Sequence, residues 1–297
     1  MISKGNQSVE VQEFKHYTGV ASTYVKGVNP NAKELGEFFG REIEKEPEYS
    51  GTFEVDGENV PYIRLDFLLN AVQKDDKTKE EEELFKTRAT FFLRKKFRFK
   101  RDKSKVQVID DYGYTAWATK EELDAQATIF SEKGKPCKIT SHYRPAFVGE
   151  EELVDFIKCY LNYGEALAYI DNNWVLNPKV NPEDCKIHLD IENYFKGDIS
   201  ELKEICKYFP NNKLKVLYGV RTNPENGIQY QAIYNRKFLK NGASDFSSIA
   251  KKVENDKNNG AFPTTDFEVG HIKVYDPTPT VFPTENNSSE PKKSPWN

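Results

Sequence analysis

A β-rich α+β fold is what this sequence predicts, and three observations carry that expectation. Long runs of strand-forming residues alternate apolar and polar side chains, turn-dense links join them, and only short helical patterns fall between them. The regular strand–helix–strand order that a parallel sheet needs does not occur. Hairpin-joined strands with helices set between them fit a small curved antiparallel sheet. The expected architecture is therefore an OB-like antiparallel barrel elaborated with inserted helices, in one domain over residues 13–275.

Residues 1–12 read as a flexible polar arm. Strand character begins at Tyr17 with Val20, Tyr24, Val25 and Val28, and stops at Asn29-Pro30. The segment Ala32–Gly40 predicts a short helix closed by its glycine. Over Pro61–Asn70, Ile63, Leu65 and Phe67 share one face and Arg64, Asp66 and Leu68 the other, the pattern of a half-buried strand. The charged, aperiodic stretch 71–83 reads as a loop. Two β-like runs follow, Leu84–Lys100 and Lys105–Ala118, and the polar link Arg101-Asp102-Lys103-Ser104 predicts a hairpin between them.

The clearest helix follows Gly149. Glu150, Glu151 and Glu152 place acid at its first turn, while Leu153, Phe156, Ile157, Tyr160 and Leu161 recur at helical spacing. A Pro/Asn-rich loop is expected over Asn172–Pro182, a strand at Lys186–Ile191 and a helix at Ile199–Tyr208. Leu214–Val220 and Gln229–Tyr234, linked through a turn-dense segment, read as a second hairpin. Residues 276–297 hold five prolines and almost no aliphatic side chain, and predict a disordered tail.

The chain of 297 residues is long enough to bury a core without a metal or disulfide staple. A net charge of -4 argues against a uniformly basic coat, so any anion-binding surface must come from local clustering. Cys137, Cys159, Cys185 and Cys206 form no CxxC pair and read as reduced thiols of a cytoplasmic protein. The N-terminus lacks the apolar stretch of a signal peptide, and no uncharged run is long enough to span a bilayer, so no membrane association is expected.

One segment departs from that acidic balance. Residues 86–105 hold ten Lys or Arg against the single acid Asp102, a local charge of +9. The cations include Arg88, Arg94, Lys95, Lys96, Arg98, Lys100 and Arg101, with Phe91, Phe92, Phe97 and Phe99 threaded among them. On a strand, Phe97 and Phe99 share one face and Lys96, Arg98 and Lys100 the other. Either the Phe face is core and the basic face a cationic stripe, or the rings are themselves platforms. Both arrangements suit single-stranded nucleic acid, because cations neutralise phosphates and exposed rings stack on bases. A basic edge that discourages strand-to-strand aggregation is the plain alternative, and it accounts poorly for so dense a run. Directly after it, Tyr112, Tyr114 and Trp117 lie near Gly113, a glycine that marks a bulge or a close backbone approach. The two tyrosines are candidate stacking rings, whereas Trp117 suits a groove and the core equally.

The segments GVASTYVKGVNP (19–30), EPEYSG (46–51), IRLDFLL (63–69), IDDYGYTAWAT (109–119) and YRPAFVGEEELVDFIKCYLN (143–162) together resemble the replication single-stranded-DNA-binding proteins of tailed bacteriophages of gut bacteria. The likeness continues through KVLYGV (215–220) and YQAIYN (230–235) to about residue 240. The resemblance implies an OB-type fold and a protein that coats single-stranded DNA in phage DNA replication and recombination, in the host cytoplasm. Such proteins often end in a strongly acidic tail that recruits replication proteins. Here the tail sets Asp276, Glu285 and Glu290 against Lys292 and Lys293 and ends Pro295-Trp296-Asn297, so only a terminal aromatic is carried over.

Enzymatic readings find little support in the sequence. The phosphate-loop, dinucleotide, zinc-protease and nucleophile-elbow motifs do not occur, and four histidines leave little general-base capacity. His188, Asp190 and Glu192 would share one face of a strand, an arrangement able to hold a divalent ion but also ordinary for a surface strand. Cys137 with His142 and Cys185 with His188 are too widely separated for a recognisable zinc pattern. Asp110 and Asp111, the only acid pair beside the basic run, read as the start of a turn. No enzyme, cofactor or metal is expected. The alternative to DNA binding is a structural or virion-associated protein-interaction module.

Overall fold

The computed structural model describes residues 17, 19–55, 57–74, 78, 80–111, 113–130, 134–161, 167–170, 173–176, 189–222 and 229–240. The arm expected at 1–12 and the tail expected at 276–297 lie outside these. In chain order the elements begin with β1 (Gly19–Val28), α1 (Ala32–Phe39), β2 (Ser50–Val55), β3 (Glu58–Lys74) and β4 (Glu81–Phe97). Next come β5 (Val106–Ile109), β6 (Thr115–Ala118), α2 (Lys120–Asp124), β7 (Thr128–Phe130), β8 (Pro136–Lys138), β9 (Arg144–Pro145) and β10 (Phe147–Val148). The last are α3 (Glu150–Tyr160), β11 (Leu167–Ile170), β12 (Asn173–Leu176), α4 (Ile191–Tyr194), α5 (Ser200–Tyr208), β13 (Lys213–Thr222) and β14 (Gln229–Lys240).

The main sheet is antiparallel, with strand order β10-β4-β3-β1-β13-β14 and β2 paired to β3. β3 is its axis. One edge of β3 is lined by β4, from Tyr62 opposite Arg94 to Lys74 opposite Glu81. The other edge is shared, with β2 on residues 58–63 and β1 on 67–72. Register shifts at Val25/Gly27 in β1 and at Ala71/Val72 in β3 add bends, and the sheet curls into a half-barrel.

The alternation predicted for Pro61–Asn70 sets the two faces. Ile63, Leu65, Phe67 and Leu69 of β3 face the core with Ala89, Phe91 and Leu93 of β4. Helix α3 lies against them with Leu153, Phe156, Ile157 and Tyr160, and the rings of Phe67, Phe91 and Phe156 meet at centroid distances of 4.7–5.8 Å. Two backbone devices place the helices. Asn31 and Glu34 form a reciprocal capping box on α1, which Gly40 closes in the left-handed region at φ 67. Before α3, Gly149 has φ +92, and a Cβ there would fall 2.1 Å from the Phe92 carbonyl oxygen, so only glycine lets the helix start this close to β4.

Four expectations need correction. The stretch 71–83 is not a loop throughout, because Ala71–Lys74 continue β3 and Glu81–Glu83 open β4. Charge does not prevent pairing at an exposed strand end, and Glu81 is held there by Lys213 and Tyr24. The hairpin expected between 84–100 and 105–118 forms only at its turn, where residues 101–104 reverse the chain and an antiparallel bridge joins Phe99 to Val106, because β4 itself pairs with β3 and β10. Gly113, at φ +71, instead turns the second run back on itself as the β5–β6 hairpin. Within the loop expected over Asn172–Pro182, Asn173–Leu176 is strand β12, paired with β11. Finally, Leu189 and Asp190 are not strand and Ile191 opens α4, since the Asp190 side chain accepts from the Asn193 backbone N–H as a helix N-cap. No described helix is long and apolar enough to cross a membrane.

Candidate nucleic-acid interface

The face of β3 and β4 turned away from the core carries the polar half of the alternation. Its anchor is Asp66, whose side chain is only 2% exposed. Its carboxylate lies 3.2 Å from the Arg64 guanidinium and 3.4 Å from that of Arg88, and accepts from the Thr90 hydroxyl at 2.8 Å. One buried carboxylate thus positions two guanidiniums and leaves net positive charge at the surface. The Arg64 guanidinium also sits 5.2 Å from the centre of the Tyr49 ring. Burial, reinforced by the charge of Asp66, pushes the Tyr49 phenol up to about 12, so this ring stays neutral.

Next along β4 is a group of rings. Phe53 of β2 and Tyr62 of β3 stack at 4.3 Å with an interplanar angle of 28°, and Phe92 approaches them at 6.0 and 5.8 Å. The Arg94 guanidinium lies 4.8 Å from the Phe53 ring centre. Tyr62 lies across Gly51, where a Cβ would fall 2.8 Å from its ring. All three rings are half-buried, so each keeps an accessible part. Phe53 and Tyr62 were missed in the sequence, although Tyr62 shares the parity of Arg64 and Asp66 and could have been found from it.

The chain stays extended past β4. Arg98 N–H donates to the Ala146 carbonyl, and Gln107 N–H and Lys100 N–H complete the bridge to β5. Arg88, Thr90, Phe92 and Arg94 share one parity of β4. Beyond them the pairing with β10 shifts register between Arg94 and Phe97, and Lys96, Arg98 and Lys100 carry the basic run on, a stretch of about 40 Å from Arg88 at ~3.3 Å per residue. At its far end the Trp117 ring has the Arg98 and Lys100 cations 5.9 and 5.7 Å from its centre, so the structure gathers three of the expected residues. Arg98 is also ion-paired to Glu151 at 2.8 Å, and the same carboxylate accepts from Gln107 and Thr115.

The remaining expected residues are more scattered. Tyr114 is 53% exposed, with the Lys158 ammonium 4.7 Å from its ring centre. Lys95 is exposed on the opposite face of β4, and Arg101 is exposed in the turn after it. Tyr112 lies outside the described residues. The Phe face divides: Ala89, Phe91 and Leu93 are core, whereas Phe97 and Phe99 emerge at 43% and 49% exposure. Gly113 makes the expected close approach, since a Cβ would fall 2.3 Å from Val154, although it sits in a turn and not within a strand.

The acid pair also lies in that turn. Asp110 accepts from the Tyr114 N–H, and Asp111 pairs with His142 at 2.9 Å. Cys137 lies 3.6 Å from the Tyr143 hydroxyl, while Cys185 and His188 are outside the described residues. Among the described residues, no three His, Cys, Asp or Glu side chains are grouped so as to hold a metal ion. Comparison with protein-family models, with curated proteins and with solved structures returned no match.

Proposed function

We propose that this protein binds single-stranded DNA, coating and protecting it in phage DNA replication and recombination through phosphate neutralisation and base stacking. The observation that carries this reading is the row along β4. Cations recur at alternate positions along a single extended stretch, and half-exposed rings lie between and beside them. Phosphate contacts supply affinity without sequence preference, and the π-face of any base can stack, which together suit a strand-coating role. The ion pairs of Arg88 and Arg98 reduce the free charge of the row, and the two side chains remain 48% and 39% exposed. The curled antiparallel sheet supports an OB-like reading of the fold, with strands β2, β3 and β4 offering the binding face.

Gel-shift titration of a single strand against duplex of equal length tests this, in parallel with a variant carrying Arg94→Ala, Lys96→Ala and Lys100→Ala. The expected result is preference for the single strand and marked weakening in the variant. Equal binding to duplex, or an unaffected variant, contradicts it. A protein-interaction role is the second reading, favoured by the exposed Phe130 and Tyr208. Its mark is a stable oligomer with no salt-dependent affinity for DNA.

A further inference from the structure

A cleft of about 660 Å³ opens beside the end of the row nearest Arg88. Leu68, which pairs opposite Arg88, and Asn70, which pairs opposite Lys86, both line it, so the cleft and the row share a boundary. Its walls come from β1, α1 and α5, elements that nothing in the sequence connects to the basic run.

Its lining sets four lysines against three glutamates. The three carboxylates of the lining are already engaged: Glu34 in the capping box of α1, Glu37 with Lys33 at 3.9 Å, and Glu83 with Asn70 and Lys86. Lys26 of β1 and Lys203 and Lys207 of α5 also line the cleft and are exposed, and among the described residues none of them has an ion-pair partner. Lys203 and Lys207 are one helical turn apart and share a face. The half-buried ring of Phe38 completes the wall, with the Lys86 ammonium 5.6 Å from its centre.

We infer that a bound single strand continues from Arg88 into this cleft, its phosphates meeting Lys26, Lys203 and Lys207 and a base lying against Phe38. This rests on the single-strand-binding reading above and extends it to a second set of residues. The cleft suits the same chemical species as the row, a polyanion with flat rings, and adjoins it at Leu68 and Asn70, where Glu83 is held by Asn70 and Lys86.

Salt titrations of oligo-dT from about 4 to 16 nucleotides test the extension, since strand-binding sites of such folds fall in that range. The comparison pairs the wild type with a variant carrying Lys26→Ala, Lys203→Ala and Lys207→Ala. Each phosphate contact on a single strand contributes about 0.7 to the slope of log affinity against log salt. The variant should match the wild type on the shortest oligomers and lose about 2 of slope on the longest. Lysine-to-arginine changes at the same positions should restore the slope. Identical slopes at every length overturn the extension while leaving the row intact. Equal loss at every length also overturns it, because it marks a separate site. If the wild type binds no oligomer, the parent reading fails as well.

Discussion

Arg94 and Tyr62 touch the same ring, Phe53, yet their removal should leave different signatures. Arg94→Ala should weaken single-strand binding and lower the salt slope by about 0.7, the loss of one phosphate contact. Tyr62→Ala should weaken binding by roughly 1–3 kcal/mol with the slope unchanged, since stacking releases no counterions. Titration at several salt concentrations reads both, and a melting curve for each variant excludes unfolding as the cause. A Tyr62 variant that binds like the wild type removes the ring group from the interface. Asp66 is different, because it faces two guanidiniums from a nearly inaccessible position. Asp66→Ala should lower stability by about 1–3 kcal/mol, leaving Arg64, Arg88 and Thr90 without their acceptor. Denaturant titration measures this, and an unchanged midpoint contradicts the anchoring role. The cations were legible residue by residue, because ten of them fall within residues 86–105. Their partners were not, since Asp66, Glu151 and Phe53 reach them through strand pairing and helix packing across distant parts of the chain.

The element on which most depends is the junction between β4 and α3. Gly149→Ala places a methyl group against the Phe92 carbonyl at a φ that side chains disfavour. It should cost on the order of 2–4 kcal/mol, seen as a clear drop in melting temperature. A near-neutral effect would show that α3 can shift away from the sheet. At the opposite end of β4, Glu81 accepts hydrogen bonds from Lys213 and Tyr24, which hold its carboxyl below the usual value of 4.5. A depressed carboxylate pKa stabilises the fold above that value, and the contribution disappears as pH falls below it. Glu81→Gln should therefore be less stable than the wild type at pH 7 and indistinguishable from it in acid, on paired melting curves. A constant difference at both pH values contradicts this contribution of the Glu81 carboxylate. Helix α1 was legible from its closing glycine, and α3 from its acidic first turn and apolar spacing. The hairpin expected between 84–100 and 105–118 is confined to its turn, because a local turn signal cannot show which neighbour a strand will choose, and here β3 takes β4.

At the scale of the whole molecule, sequence alternation identified strands and a buried face but not the order in which they pair. The half-barrel follows from β2 and β1 sharing one edge of β3, and from register shifts that no composition reveals. At the Arg88 end of the row, residues of β1, β3, β4, α1 and α5 line a cleft that includes four lysines, in a protein of net charge -4. This local concentration of cations is what we propose engages the backbone of a single strand. Fluorescence titration of oligo-dT at a series of salt concentrations, with duplex of the same length alongside, addresses it most directly. The account predicts tighter binding to the single strand, with log affinity falling linearly as log salt rises. Absence of binding at low salt, or duplex bound as tightly as the single strand, would contradict it.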